Sequence, residues 1–274
     1  RPSLVVHEKT GRSLSFGALA AIAEVPDLLP EIKEGDLKPR SHYRIVGKQT
    51  PRLDIPEKVD GRAIFGIDIQ VPDMLYGMVA RPPVEGATAQ KIDQSEAEIV
   101  AGFITVVPLD YGVGIVCTTM DAVLFARNKL RITWSNDAPA SAWSSENTLA
   151  EYQTIANDLA IKGSIWHERG DVKKAMQLST QIIEAAYQSD YAYHAQLEPM
   201  NATATVGSNG DTAEIWVSTQ TQTLTVYAAA KALGTSHDKI IVHPTYVGGG
   251  FGRRTHMQYV EDAVLLSKAT GKPV

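Results

Sequence analysis

The sequence predicts an α+β protein, and three observations carry that expectation. Residues 114–134 read as a strand, a helix and a return strand; residues 223–233 form an Ala-rich helical stretch closed by Gly234; and a triple glycine at 248–250 stands between a strand pattern and a helix pattern.

Taken in order, residues 4–8 read as a short strand, 10–12 as a turn, and 15–23 as an amphipathic helix stopped before Pro26. Residues 25–56 carry five prolines and scattered charges with no apolar period, the pattern of an irregular connector, with a domain boundary near Asp54. Strands follow at 63–69, 75–81 and 103–107, then the unit of strand 114–118, helix 119–128 and strand 131–134. Residues 136–145 form a second connector, and 145–161 a helix whose start suits Ser145 and Glu146. Strands at 180–193, 201–206 and 212–218 precede the helix at 223–233, where Gly234 takes the C′ position. Residues 239–247 are the next strand and 255–269 the last helix, ending at Gly271, with Thr255 and Gln258 at capping-box spacing. The expected organisation is an N-terminal segment and connector, the tail of a preceding domain (1–57), an α+β domain (58–140), a connector with a helix (141–179) and part of a further α+β domain (180–274).

Composition removes several function classes. At 274 residues the chain has room for one large domain or two ordinary ones. With 44% hydrophobic and 21% charged residues it has a globular balance, and no run approaches the roughly 20 apolar residues of a membrane helix. A net charge of −5 with interspersed signs leaves no footprint for nucleic acid. Cys117 is the only cysteine, so no disulfide forms within the chain and no cysteine set holds an iron-sulfur cluster or a structural zinc. Its apolar setting reads as a small buried hydrophobe. The histidines show no metal spacing such as HExxH, and surface or core placement is their default reading.

The segment VGGGFGRR at 247–254 carries the chemistry. Glycines between a strand and a helix present backbone N–H groups without side chains in the way. The helix N-terminus beyond them adds positive potential. Arg253 and Arg254, two cations ahead of that terminus, are unfavourable there unless an anion is bound. The phosphate-binding P-loop and the dinucleotide pattern GxGxxG are both absent, because Arg253 stands where the latter needs glycine. Residue chemistry therefore stops at an anion site, with a plain strand-to-helix turn and solvent-facing arginines as the alternative.

The order STQTQ (218–222), helix, strand, GGGFG (248–252), helix, GKPV (271–274) resembles the first molybdenum-binding domain of the xanthine dehydrogenase/aldehyde oxidase family. Upstream, RLDIPEKVDGRAIFGID (52–68) and MLYGMVARPP (74–83) resemble the entry to that family's α/β hammerhead domain, and YHAQLEPMNATA (193–204) resembles its HxxLEP segment. The GGGFGRR form is similar to the isoquinoline 1-oxidoreductase branch. The resemblance implies a hammerhead domain followed by part of a molybdenum-cofactor-binding α+β domain.

By that resemblance, the amides around Gly249, Gly250, Phe251 and Gly252 face the molybdenum centre, Gln220 and Thr221 line the pterin, and Arg253 or Arg254 neutralises phosphate. Phe251 lies near substrate or is ordinary core. The implied cofactor is molybdenum-molybdopterin in a dinucleotide form, its metal held by the pterin dithiolene so that no side chain here is expected to be a metal ligand, and the implied partner is a small iron-sulfur subunit. Two positions depart from the xanthine pattern: Ala192 stands where a glutamine is expected and Thr255 where a substrate-binding glutamate is expected. An aldehyde or N-heteroaromatic substrate follows. His194 and Glu198 read as an acid/base pair or as a hydrogen-bonded support for the loop. The family's catalytic glutamate, in a Gly-x-Gly-Glu context, has no match after Gly252. No catalytic residue is therefore expected within this chain, whose two ends resemble cuts, and an inactive fragment without bound cofactor is expected. A periplasmic setting follows from the resemblance, with the cytoplasm as the alternative. The competing functions are a non-catalytic scaffold that keeps the fold, motivated by Ala192 and Thr255, and a nucleotide-binding loop.

Overall fold

Leu4–Val6 (β1) and Ser13–Ser15 (β2) pair antiparallel, a hairpin where the sequence reading has one strand, a turn and the start of a helix. Phe16–Ala20 (α1) follows, started by the Ser15 side chain accepting from Ala18 N. These elements belong to the first of two compact units, Arg1–Val59 and Asp60–Val274. The structure, a computed structural model, describes every residue except Arg1, Pro2, Val25, Asp27, Leu29 and Leu159. Within the expected connector, Val25, Asp27 and Leu29 thus lie outside the described residues, and two single 3-10 turns occur at Glu34–Asp36 and Arg40–His42. None of the described residues of the first unit is buried. A short helix that the sequence reading does not contain, Ile55–Asp60 (α2), runs up to the division.

In the second unit, Tyr76–Ala80 (β3) is followed by Ala89–Asp93 (β4), Phe103–Leu109 (β5) and Gly112–Cys117 (β6). Next come Met120–Lys129 (α3) and Arg131–Trp134 (β7). The sheet order β3-β6-β5 is antiparallel throughout and puts β6 in the centre, with all six of its residues buried. The return strand β7 does not join this sheet; it pairs with β4, which the sequence reading lacks, because AQKID shows no apolar run. Helix α3 covers one face of β6 through Ala122, Val123 and Ala126, which pack with Ile115 and Cys117. Burial raises the Cys117 thiol pKa, as suits an inert core residue.

Residues 63–69 are not a strand. They hold a 3-10 turn, Gly66–Asp68, because Gly66 N donates to Ser218 Oγ (3.0 Å) and Ile67 N to Glu198 Oε1 (3.3 Å) instead of to a ladder. Only a bridge from Phe65 to Tyr246 remains.

Ser145–Asn157 (α4) and Val172–Leu178 (α5) follow, the latter unforeseen. The expected helix at 145–161 stops at Asn157, and Leu159 lies outside the described residues. Residues 180–193 form no strand: every one is exposed, and among the described residues no second strand lies beside them to complete a ladder.

The last sheet is Ala202–Val206 (β8), Ala213–Val217 (β9) and Ile240–Pro244 (β10), with β9 central, antiparallel to β8 and parallel to β10. Gln222–Leu233 (α6) makes the crossover from β9 to β10 and ends at Gly234 in the left-handed conformation. Gln258–Thr270 (α7) joins α6 over one face of the sheet, where Ile215, Ala229, Val260 and Val264 are buried together. The helix begins after Met257; Thr255 does not cap it, because its hydroxyl donates to Gly252 O at 2.7 Å. On the other side of α7, Leu266 packs with Leu75, Val116 and Val274 against the β3-β6-β5 sheet. A Cβ at Gly114 would overlap Leu266, so that glycine lets α7 come close to the sheet and fixes where the chain ahead of the helix lies.

Candidate functional site

Because β9 and β10 are parallel neighbours, the chain leaves both at the same edge of the sheet. Residues 218–221 emerge from β9 and residues 245–252 from β10, and Thr245 N donates to Val217 O (3.1 Å) where the two diverge. The carboxyl ends of parallel strands are the usual place for a ligand in an open sheet.

The glycine loop is held in an unusual backbone conformation. Gly249, Phe251 and Gly252 have φ of +95°, +51° and +90°, so one non-glycine residue sits in the left-handed region between two glycines. Gln220 buttresses the loop, its Oε1 accepting from Gly252 N at 3.0 Å. A Cβ on Gly250 would stand 2.5 Å from that same Oε1 and 2.8 Å from Cδ, so a side chain there would push Gln220 away from Gly252 N. The amides of Gly249, Gly250 and Phe251 donate to no acceptor among the described residues. Phe251 itself is 71% exposed, so it is not core in this chain.

Beneath the loop lies a buried ion pair. Arg254 is fully buried, and its Nη2 donates to Glu198 Oε2 at 2.9 Å. Its remaining donors reach Gly249 O (2.7 Å), Ser218 O (3.2 Å) and Glu198 O (2.8 Å). Removing two charges from water is costly, and the pair persists because nearly every polar atom of both groups is satisfied. The expectation that Arg254 neutralises phosphate fails on this geometry: its guanidinium points inward and is already bonded. Arg253 differs. Its guanidinium makes no hydrogen bond or ion pair among the described residues, and it borders a groove of about 690 Å³ whose other walls include Met74, Met78, Tyr193 and Gln258.

The structure therefore brings Gln220 against the loop of Gly249, Gly250, Phe251 and Gly252, sets Arg253 beside a neighbouring groove, and turns Arg254 beneath the loop. Thr221 is the N-cap residue of α6, yet its hydroxyl caps nothing and is a buried oxygen without a partner. Glu198 pairs with Arg254, not with His194, which is exposed. Ala192 is exposed as well. Residue reasoning missed Ser218, whose buried hydroxyl donates to Glu198 Oε1 (2.9 Å) and sits 2.7 Å from Tyr246 O, and the part played by Gly66 and Ile67. The sequence signals were present in STQTQ and LEP, but neither names a partner. No cluster of three or more His, Cys, Asp or Glu able to hold a metal occurs among the described residues, and none of their helices is long and apolar enough to cross a membrane.

The family model for the molybdopterin cofactor-binding domain matches residues 156–274. The chain is 34% identical to the beta subunit of isoquinoline 1-oxidoreductase from Brevundimonas diminuta, over 99% of this chain and 39% of that protein. It is 31% identical to a membrane-bound aldehyde dehydrogenase of Gluconacetobacter polyoxogenes, over 96% and 35%, and 28% identical to a nicotinate dehydrogenase polypeptide of Pseudomonas putida, over 96% and 22%. The chain thus spans well under half the length of these relatives. Among solved structures, quinoline 2-oxidoreductase from Pseudomonas putida 86 and aldehyde oxidoreductase from Desulfovibrio gigas share the fold, each with a TM-score of 0.61 at 18% identity over 82% of this chain, and 33% and 29% of theirs.

The residues fit such a cofactor. Three unbonded amides on the glycine loop, an orphaned Thr221 hydroxyl at the start of α6 and an unpaired Arg253 are donors suited to oxo, pterin and phosphate groups. Residues 156–274 match the molybdopterin cofactor-binding domain, and nearly the whole chain is similar to part of isoquinoline 1-oxidoreductase subunit beta and its xanthine dehydrogenase-type relatives.

Proposed function

We propose that the surface formed by Gln220, Thr221 and residues 249–253 holds molybdenum-molybdopterin, in a dinucleotide form, within an oxidoreductase acting on aldehydes or N-heteroaromatics. The observation that carries the reading is the row of three consecutive amides at Gly249, Gly250 and Phe251 with no protein acceptor among the described residues. Buried or half-buried N–H groups are almost always paired in folded proteins, so the unpaired amides of half-buried Gly249 and buried Gly250, with that of Phe251 beside them, support a ligand that accepts from them. When bound, the cofactor supplies two-electron chemistry that inserts a water-derived oxygen into a C–H bond, the electrons leaving to an iron-sulfur partner subunit.

This chain's own part is binding and orientation. The amides place partial positive charge where oxygen carries negative charge, at no cost in reorganisation. Exposed Phe251 offers an aromatic face beside them, to which a planar substrate can stack. Arg253 offers a point of charge for phosphate at the groove. Thr255, tied to Gly252 O, gives substrate no carboxylate, in keeping with a substrate that brings no cationic or urea-like group to that position.

Elemental analysis for molybdenum on the full-length protein, made in a host that produces the cofactor, tests the reading. Near-stoichiometric metal that Gly250→Val abolishes is expected, because a side chain there collides with Gln220. A well-folded protein free of metal and pterin would leave a scaffold that keeps the fold alone.

A further inference from the structure

We infer that Glu198 and Arg254 are positioning residues that turn the free amides of the glycine loop outward, and that the turn at Gly66–Ile67 completes this clamp from the 60–140 region. The inference rests on the cofactor reading above and adds residues that touch no ligand.

The argument follows from the planarity of the peptide group. In a trans peptide the carbonyl and the next residue's N–H point in opposite directions, and no cis peptide occurs among the described residues. Each of the three free amides belongs to a peptide whose carbonyl is held by a named donor. Gly248 O accepts from Glu198 N (3.0 Å), which turns Gly249 N–H away. Gly249 O accepts from Arg254 Nε (2.7 Å), which turns Gly250 N–H away. Gly250 O accepts from Arg253 N (2.8 Å) and Gln196 Nε2 (3.4 Å), which turns Phe251 N–H away. The loop's outward donors are thus set by inward acceptors, and the middle one depends on a buried guanidinium.

Arg254 is itself aimed by Glu198. Oε2 of that carboxylate accepts from Arg254 Nη2 and from Gly248 N, both at 2.9 Å. Oε1 accepts from Ser218 Oγ (2.9 Å), Asn201 Nδ2 (3.1 Å) and Ile67 N (3.3 Å). One carboxylate therefore ties the loop to the end of β9 and to a turn well over a hundred residues earlier in the chain. Gly66 is packed tightly against this centre: a Cβ there would stand 2.6 Å from Asn201 Oδ1, 2.9 Å from Ser218 Oγ and 3.2 Å from Glu198 Oε1. Its φ is not in the left-handed region, so space alone forbids a larger residue.

The test compares cofactor content with stability in the full-length protein. Molybdenum by elemental analysis, pterin by fluorescence after oxidation, and the thermal midpoint are measured for wild type, Glu198→Gln, Arg254→Met, the double variant and Gly66→Ala. Both single charge variants should lose stability and about 10-fold or more of the cofactor, the scale seen when groups behind a ligand shell are removed. The double variant removes both charges, so its midpoint should recover towards wild type while its cofactor content stays low, because Gly249 O remains untethered. Recovery of cofactor along with stability would show mere charge balance and overturn the inference. Should the double variant not fold, Gly66→Ala decides: it keeps both charges, and cofactor loss in a folded protein is expected, whereas normal content refutes the clamp. A wild-type protein without molybdenum would instead sink the cofactor reading itself.

Discussion

Residues 248–254 and residues 180–193 lie in the same compact unit, and both read as ordered from the sequence, yet they differ in what holds them. In the glycine loop, the carbonyls of Gly248, Gly249 and Gly250 each accept from a named donor and Arg254 is fully buried beneath. In the earlier stretch every residue is exposed, and one edge-to-face contact between Trp143 and Tyr191 (5.4 Å) is the visible ring packing. Both contain residues with a strong local preference: glycines for a turn, and Ile182, Ile183, Tyr187 and Tyr191 for a strand. Local preference sufficed for neither. The loop acquired its shape from partners distant in sequence, and the strand-like stretch lacks, among the described residues, the neighbour that would have made it a strand.

The largest expected effect breaks the buried side of this comparison. Arg254→Met leaves Glu198 buried and unpaired and should cost about 3–5 kcal/mol in denaturant unfolding. A loss below about 1 kcal/mol, the size of a surface pair, would show that the charge is solvated after all. Next is Leu266→Ala. This side chain is 2% exposed in the cluster that joins α7 to the β3-β6-β5 sheet, and its truncation should cost about 2–5 kcal/mol. If the loop's order depends on where α7 sits, cofactor content should fall with it.

A smaller effect concerns pH. Asp262 on α7 accepts from Arg81 Nη2 (2.7 Å) and Tyr111 Oη (3.0 Å), yet burial outweighs these partners and raises its pKa above the ordinary carboxylate range. Between the unfolded and folded pKa values the native state binds more proton, so stability should fall as pH rises through that window. Asp262→Asn should remove this slope, and an unchanged slope would assign it elsewhere. The smallest effect tests the exposed side. Ile183 is 83% exposed, and Ile183→Ser should stay within about 0.5 kcal/mol. A clear loss in the full-length protein would reveal that another surface covers the stretch and would bring the two regions closer together.

Particular elements show how far the sequence could be read. The strands at 75–81, 103–107 and 114–118, the helix at 119–128, and the glycine stops at 234 and 271 all stand in the structure within a few residues. Each is set by a local period or a left-handed cap. The strand at 63–69 and the Thr255 capping box do not stand, because side chains elsewhere took the hydrogen bonds in the first case, Ser218 and Glu198, and Gly252 O did so in the second. At the site, Gln220 and the glycines were legible as a motif, and their approach is observed. The pairing of Glu198 with Arg254 was not, since 56 residues separate them and a carboxylate does not advertise its cation.

By itself, then, the sequence determined that this protein is α+β, that a glycine loop stands between a strand and a helix, and that Arg253 and Arg254 stand at that loop. Those properties depend on neighbours a few residues apart. Only the tertiary structure decided that one arginine faces the groove while the next is buried against Glu198, that Phe251 is exposed, and that Gly66 closes on the same carboxylate. The physical reason is that burial and hydrogen-bond partnership are long-range quantities. Two adjacent arginines are identical in chemistry until the fold supplies one of them with an acceptor out of water.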